Sequence, residues 1–91
     1  MDMPRNSKPN HRYELRVGDR LAVAEYRIDG GVITFTHTIV PKELEGQGIA
    51  SRLIAFALAD ARAQGLRVIP ACSFVQGYID RHPEWRDLLA D

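Results

Sequence analysis

Two glycines and an alanine at alternate positions, Gly46, Gly48 and Ala50, stand directly ahead of an apolar run with helical spacing. Small residues there let a ligand approach the main chain. The first-turn amides of Gln47, Gly48, Ile49 and Ala50 have no intrahelical acceptor. Together with the helix dipole, these N–H groups make an anion site suited to a diphosphate. Cys72, the single cysteine of the chain, falls where a short strand should end and a second helix begin. A helix N-terminus lowers a thiol's pKa and favours the reactive thiolate, although a lone cysteine also serves as a small core hydrophobe. His37 interrupts an otherwise apolar strand face, either as a general base or as a hydrogen-bonded core histidine.

The elements that must hold these groups follow from periodicity. Residues 1–10 read as a flexible, polar tail and residues 11–91 as one domain. A first strand over 11–17 ends at Gly18-Asp19. From Arg20 to Asp29 the chain alternates, with Ala22, Ala24, Tyr26 and Ile28 on one face. Asp29-Gly30-Gly31 is a hairpin signal, because these residues tolerate the positive φ of tight hairpin turns. Val32 to Val40 is rich in β-branched residues and places Ile33, Phe35, His37 and Ile39 together on one face.

Pro41 closes this third strand. Ile49, Ala50, Leu53, Ile54, Ala57, Leu58 and Ala61 then form one apolar stripe, which predicts a helix over 47–64 capped by Gly65. Residues 67–71 form a short apolar strand, and the helical crossover before it implies parallel pairing. Ser73 with Gln76 matches a capping box for a second helix whose apolar side is Phe74, Val75, Tyr78 and Ile79. Tyr78 and Ser73 are further proton donors, each with a simpler structural task. His82-Pro83 ends that helix, and Trp85, Leu88 and Leu89 anchor a last helical turn. The expected fold is an α/β sandwich of order β-β-β-α-β-α on a mixed sheet. A dinucleotide fold is excluded, since it needs a longer glycine pattern directly after the first strand of a β-α unit.

Three motifs now stand in order: His37-Thr38-Ile39-Val40-Pro41, Gly46-Gln47-Gly48-Ile49-Ala50 and Pro70-Ala71-Cys72-Ser73-Phe74-Val75. With the ending Tyr78-Ile79-Asp80-Arg81-His82-Pro83-Glu84-Trp85, the chain resembles the GNAT superfamily of N-acetyltransferases, specifically its short stand-alone N-acetyltransferase domains. The resemblance spans Tyr13 to Leu89 and implies a minimal GNAT-like sandwich in which the strands flanking the central helix splay apart. It implies acetyl-CoA (coenzyme A) as acyl-donor cosubstrate, with its diphosphate on the turn from Glu45 to Ala50 and its pantetheine arm beside Ile39 and Val40. The cofactor-binding residues are then Ile39, Val40, Gly46, Gln47, Gly48, Ile49, Ala50 and Arg52, with Lys42 a second cation. Glu45 departs from the family pattern, which has Gln or Arg there, so binding should rest on backbone amides. It places Cys72 near the thioester, as nucleophile or proton donor; the other catalytic candidate, from its place on the strand face, is His37, as base for the acceptor amine or for Cys72 across the splay. Relative to a full-length GNAT domain the chain lacks the two helices after the first strand and the last hairpin, elements that shape the acceptor pocket.

The expected function is transfer of an acetyl group from acetyl-CoA to an amine of a small molecule or protein. The alternative is a non-catalytic acyl-CoA binding or sensing module. Twelve basic and 12 acidic residues balance to zero formal charge, which argues against nucleic-acid binding. No apolar run approaches the ~20 residues needed to span a bilayer, so no membrane partner and a cytoplasmic location are expected. One cysteine and three separated histidines give a metal site little support. The sequence does not choose between a monomer and a homodimer.

Overall fold

The computed structural model describes residues 3–90; residues 1 and 2 of the expected tail, and residue 91, lie outside the described residues. Five strands form one sheet in sequence order: β1 (Arg5–Ser7), β2 (Arg12–Val17), β3 (Arg20–Asp29), β4 (Val32–Ile39) and β5 (Arg67–Pro70). The first three pairings are antiparallel and the last is parallel. Helix α1 (Ile49–Ala63) makes the crossover from β4 to β5, and α2 (Ser73–Arg81) follows β5. The β3–β4 turn uses Gly30 and Gly31 at φ 58° and 81°, the paired left-handed geometry that matches the twist of a hairpin.

One face of the sheet and one stripe of each helix make the core. Tyr13, Leu15, Ala22, Ala24, Tyr26, Ile33 and Phe35 pack against Leu53, Ile54, Ala57, Leu58 and Ala61 of α1 and against Val75 and Ile79 of α2. Apart from Ala50, which is only partly buried, the helical stripe read from the sequence is thus the buried one. The opposite sheet face carries Arg16, Arg27, His37 and Ile39, all exposed. Past α2, a 3-10 segment over Pro83–Leu88 buries Leu88 and half-buries Trp85, whose ring lies 4.7 Å from the Arg62 guanidinium. Ala90 then donates to the Val68 carbonyl at 2.9 Å. Among the described residues no helix is long and apolar enough to cross a membrane.

Residues 5–10 correct the tail expectation: Arg5–Ser7 is an edge strand and Lys8–Asn10 a 3-10 turn. The local sequence is polar, and long-range bonds hold it. The Tyr26 hydroxyl donates to Asn6 Oδ1 at 2.6 Å, Asn6 Nδ2 donates to Asp60 at 3.4 Å, and the Tyr13 hydroxyl donates to the same carboxylate at 2.6 Å. Burial, and next the hydrogen bond and charge of Asp60, hold the Tyr13 phenol protonated far above its ordinary range.

A second correction is a bulge in β4. Tyr26 pairs with Phe35, but its neighbour Glu25 pairs with His37, so Thr36 is an extra residue in the ladder. Its hydroxyl donates to the Glu25 carbonyl at 3.2 Å. A bulge shifts side-chain alternation by one step. Ile33 and Phe35 therefore face the core, whereas beyond the bulge Thr38 pairs with core residue Ala24 and takes the helix side. His37 and Ile39 are turned to the open face.

A candidate active site where two strands part

Parallel pairing between β4 and β5 runs from Val32–Arg67 to Phe35–Pro70 and stops. The last main-chain tie is the Cys72 amide, which donates to the Phe35 carbonyl at 2.9 Å. Beyond it β4 continues to Ile39 while the chain after β5 turns into α2, so the two strands splay as expected. A cleft of about 560 Å³ opens there, lined by Ile39 at the free end of β4 and Val40 just after it, by the glycine turn, and by Phe74 of α2.

The turn is built for close approach. Gly46 and Gly48 have φ of 82° and 74°, the left-handed region that favours glycine. Gly48 is the N-cap of α1, no side chain caps it, and the helix's first bond runs from the Arg52 amide to the Gly48 carbonyl. The amides of Ile49, Ala50 and Ser51 precede that ladder, at the positive end of a 15-residue helix, and all three residues line the cleft. The helix begins at Ile49 rather than at Gln47, so Gln47 belongs to the turn, and its side chain donates to the Glu43 carbonyl at 3.3 Å.

Cys72 stands at the vertex of the splay. It is half-buried, it is the N-cap of α2, and its Sγ lies 3.3 Å from the Thr38 hydroxyl across the gap. Burial raises its pKa, yet the Thr38 hydroxyl and the amides of Val75, Phe74 and Thr38 together outweigh burial and bring the thiol below its ordinary value. No side chain caps α2 with a hydrogen bond, so the expected capping box of Ser73 and Gln76 does not form. Ser73 is the first helical residue, and the Gln76 amide bonds the Cys72 carbonyl at 3.0 Å. The first-turn amides are left to favour the thiolate.

The sequence profile of the GCN5-related N-acetyl-transferase family matches residues 12–88. The chain belongs to that family. Its fold also superimposes on the NMR solution structure of a GCN5-like protein from Staphylococcus aureus, with a TM-score of 0.74 and 26% identity, covering 96% of this chain and 86% of the other.

In this GNAT domain the structure brings together most of the residues singled out by sequence. Ile39, Val40, Gly46, Gly48, Ile49 and Ala50 all line the cleft. Arg52 is exposed on the first turn of α1, and Lys42 is exposed on the 3-10 turn Lys42–Leu44; neither lines the cleft. Glu45 does line it. His37 is not where the alternation put it. Its side chain is 70% exposed and faces Glu25 at 3.5 Å, on the sheet face away from Cys72, because the Thr36 bulge reverses the phase. The two expected catalytic residues do not meet. Sequence reasoning missed Thr38, Leu44, Ser51 and Phe74 as cleft residues; the Thr38 of the first motif and the Phe74 of the third were the available signals. Among the described residues there is no cluster of His, Cys, Asp or Glu that could hold a metal ion.

Proposed function

We propose that this GNAT domain binds acetyl-CoA in the cleft and transfers its acetyl group to an amine through Cys72. The observation that carries the reading is continuity: one cleft runs from the left-handed glycine turn, past Ile39 and Val40, to Thr38 and Phe74 beside the thiol. The amides of Ile49, Ala50 and Ser51 suit a diphosphate. The free edge of β4 offers main-chain donors and acceptors to the amides of a pantetheine arm. Among the described residues no basic side chain lines the cleft, so phosphate affinity would rest on the main chain and the α1 dipole, with Lys42 and Arg52 as outlying charges.

Of the two roles for Cys72, a lowered pKa favours the nucleophile over the proton donor. The Cys72 thiolate attacks the thioester carbonyl carbon, a new S–C bond forms, and the bond to the CoA sulfur breaks, releasing CoA thiolate to be protonated by solvent. A neutral amine then attacks the acetyl-cysteine carbonyl. The N–C bond forms, the S–C bond to Cys72 breaks, and the surplus amine proton goes to solvent. His37 has no part in either step.

The alternative, a non-catalytic acyl-CoA binding module, draws on Glu45 in the cleft and on the missing acceptor-side elements of a full-length GNAT domain. Intact-protein mass spectrometry after incubation with acetyl-CoA tests the two. Transfer through Cys72 predicts one acetyl adduct in the wild type and none in Cys72→Ala, with thermal stabilisation by CoA kept in both. Stabilisation without an adduct, and without amine-dependent CoA release, supports the binding module instead.

A further inference from the structure

Cys72 is held across the splay twice. Its amide bonds the Phe35 carbonyl at 2.9 Å and its sulfur contacts the Thr38 hydroxyl at 3.3 Å. Both partners lie on β4, but they would sit on opposite faces of a regular strand, since their positions differ by an odd number. The Thr36 bulge puts Phe35 and Thr38 on the same face. The ladder irregularity therefore has a local product, a hydroxyl aimed at the thiol from the strand that also forms the cleft wall.

We propose that Thr38 is the positioning residue for the Cys72 thiol, its hydroxyl fixing Sγ at the vertex of the splay and donating to it when the sulfur is a thiolate. This rests on the acetyl-transfer reading above for its catalytic consequence, though not for its effect on the thiol itself. Threonine suits the task because its branched side chain is stiff about χ1, so the hydroxyl keeps one place while the rest of the residue lines the cleft. A donor with a fixed position also orients the sulfur lone pair that would attack a carbonyl carbon in the cleft.

Among the described residues Thr38 is the side-chain hydrogen-bond partner of the sulfur. Burial, the Thr38 hydroxyl and amide, and the Val75 and Phe74 amides of α2 account for its acidity, with no charged side chain contributing. From β4, His37 faces Glu25 on the other side of the sheet. From β5 the neighbours are Ile69 and Pro70, which do not titrate.

The test is the pH profile of Cys72 alkylation by iodoacetamide in wild type, Thr38→Val and Thr38→Ser. Valine keeps the shape and the branch while removing the hydroxyl; serine restores the hydroxyl alone. In Thr38→Val the alkylation midpoint should move to higher pH and the rate at pH 7 should fall about tenfold, the effect of losing one charge-assisted hydrogen bond. Thr38→Ser should recover most of both. Stabilisation by CoA should persist in all three, and kcat for acetyl transfer should fall in Thr38→Val with KM for acetyl-CoA little changed. A Thr38→Val profile that overlays the wild type, or a Thr38→Ser profile as displaced as that of valine, overturns the proposal. If wild-type protein shows no CoA binding while the alkylation profiles still separate, the acetyl-transfer reading has failed and the thiol-positioning role stands.

Discussion

The amide of Cys72 donates to the carbonyl of Phe35 at 2.9 Å, and this bond is the last main-chain tie between two strands that part immediately beyond it. The parting leaves one edge of β4 without a paired strand among the described residues and puts a thiol at its vertex. The cleft, the glycine turn and the sulfur are all arranged around that point.

Gly48 caps α1 at φ 74°, where an added Cβ would meet no neighbour but would force an L residue into left-handed backbone. Such a residue costs about 1–2 kcal/mol. Gly48→Ala should lower the unfolding free energy by that amount and the urea midpoint with it, and the turn's relaxation should weaken CoA binding about tenfold. Urea unfolding and calorimetric titration check both. An unchanged midpoint with unchanged affinity counts against the turn as the diphosphate cradle.

His37 should be dispensable. An exposed contact such as His37–Glu25 is worth roughly 0–1 kcal/mol at most. His37→Ala should keep wild-type stability, CoA affinity and Cys72 alkylation rate within about twofold, a margin of about 0.4 kcal/mol. A large loss of acetyl transfer in this variant would mean that the open sheet face takes part in the chemistry.

Glu14 is buried on the open face between Arg5 and Arg12, at 2.9 and 2.7 Å. Burial raises its pKa, but hydrogen bonds from Arg12 and Arg5, then their charges, bring it below the ordinary 4.5. The unfolded chain therefore binds more protons than the folded one between the two values, so stability rises with pH there. The contribution is complete above about pH 4.5 and is lost as pH falls through the folded value. Glu14→Gln should flatten the acid limb of a Tm-against-pH curve and cost about 1–2 kcal/mol at pH 7.

The first strand should depend on side chains distant in sequence. Asn6→Ala removes the acceptor of the Tyr26 hydroxyl and a donor to Asp60. It should destabilise by about 1 kcal/mol and speed amide hydrogen exchange over Arg5–Ser7 more than over β3 or β4. Uniform exchange in the variant would mean that β1 is held by its ladder alone.

Much of this was written locally in the chain. β3 spans Arg20–Asp29 as its alternation indicated, the helix stripe from Ile49 to Ala61 is the buried stripe, and Gly46 and Gly48 take the left-handed backbone their type suggests. What could not be read locally depended on distant partners. The Arg-Asn-Ser of β1 has no strand pattern and is fastened by Tyr26 and Asp60. The bulge left no mark either, because Val32 to Val40 alternates without interruption and only its pairing with β3 shows that Thr36 is extra. The site suffered the same loss: the phase change that brings Thr38 to Cys72 is the one that carries His37 away. The second helix failed in a smaller way, with Cys72 at the N-cap where Ser73 fitted a capping box.

The central claim is that acetyl-CoA occupies the cleft between the glycine turn and the free edge of β4. Titrating ¹⁵N-labelled protein with acetyl-CoA and following its amide resonances tests it most directly. The expected result is saturable displacement concentrated at Thr38, Ile39, Val40, Gly46, Gly48, Ile49, Ala50 and Ser51, with Phe74 and Val75 moving at the far end. Resonances that stay fixed at millimolar acetyl-CoA, or that move only on the opposite sheet face around Arg16 and Arg27, would contradict it.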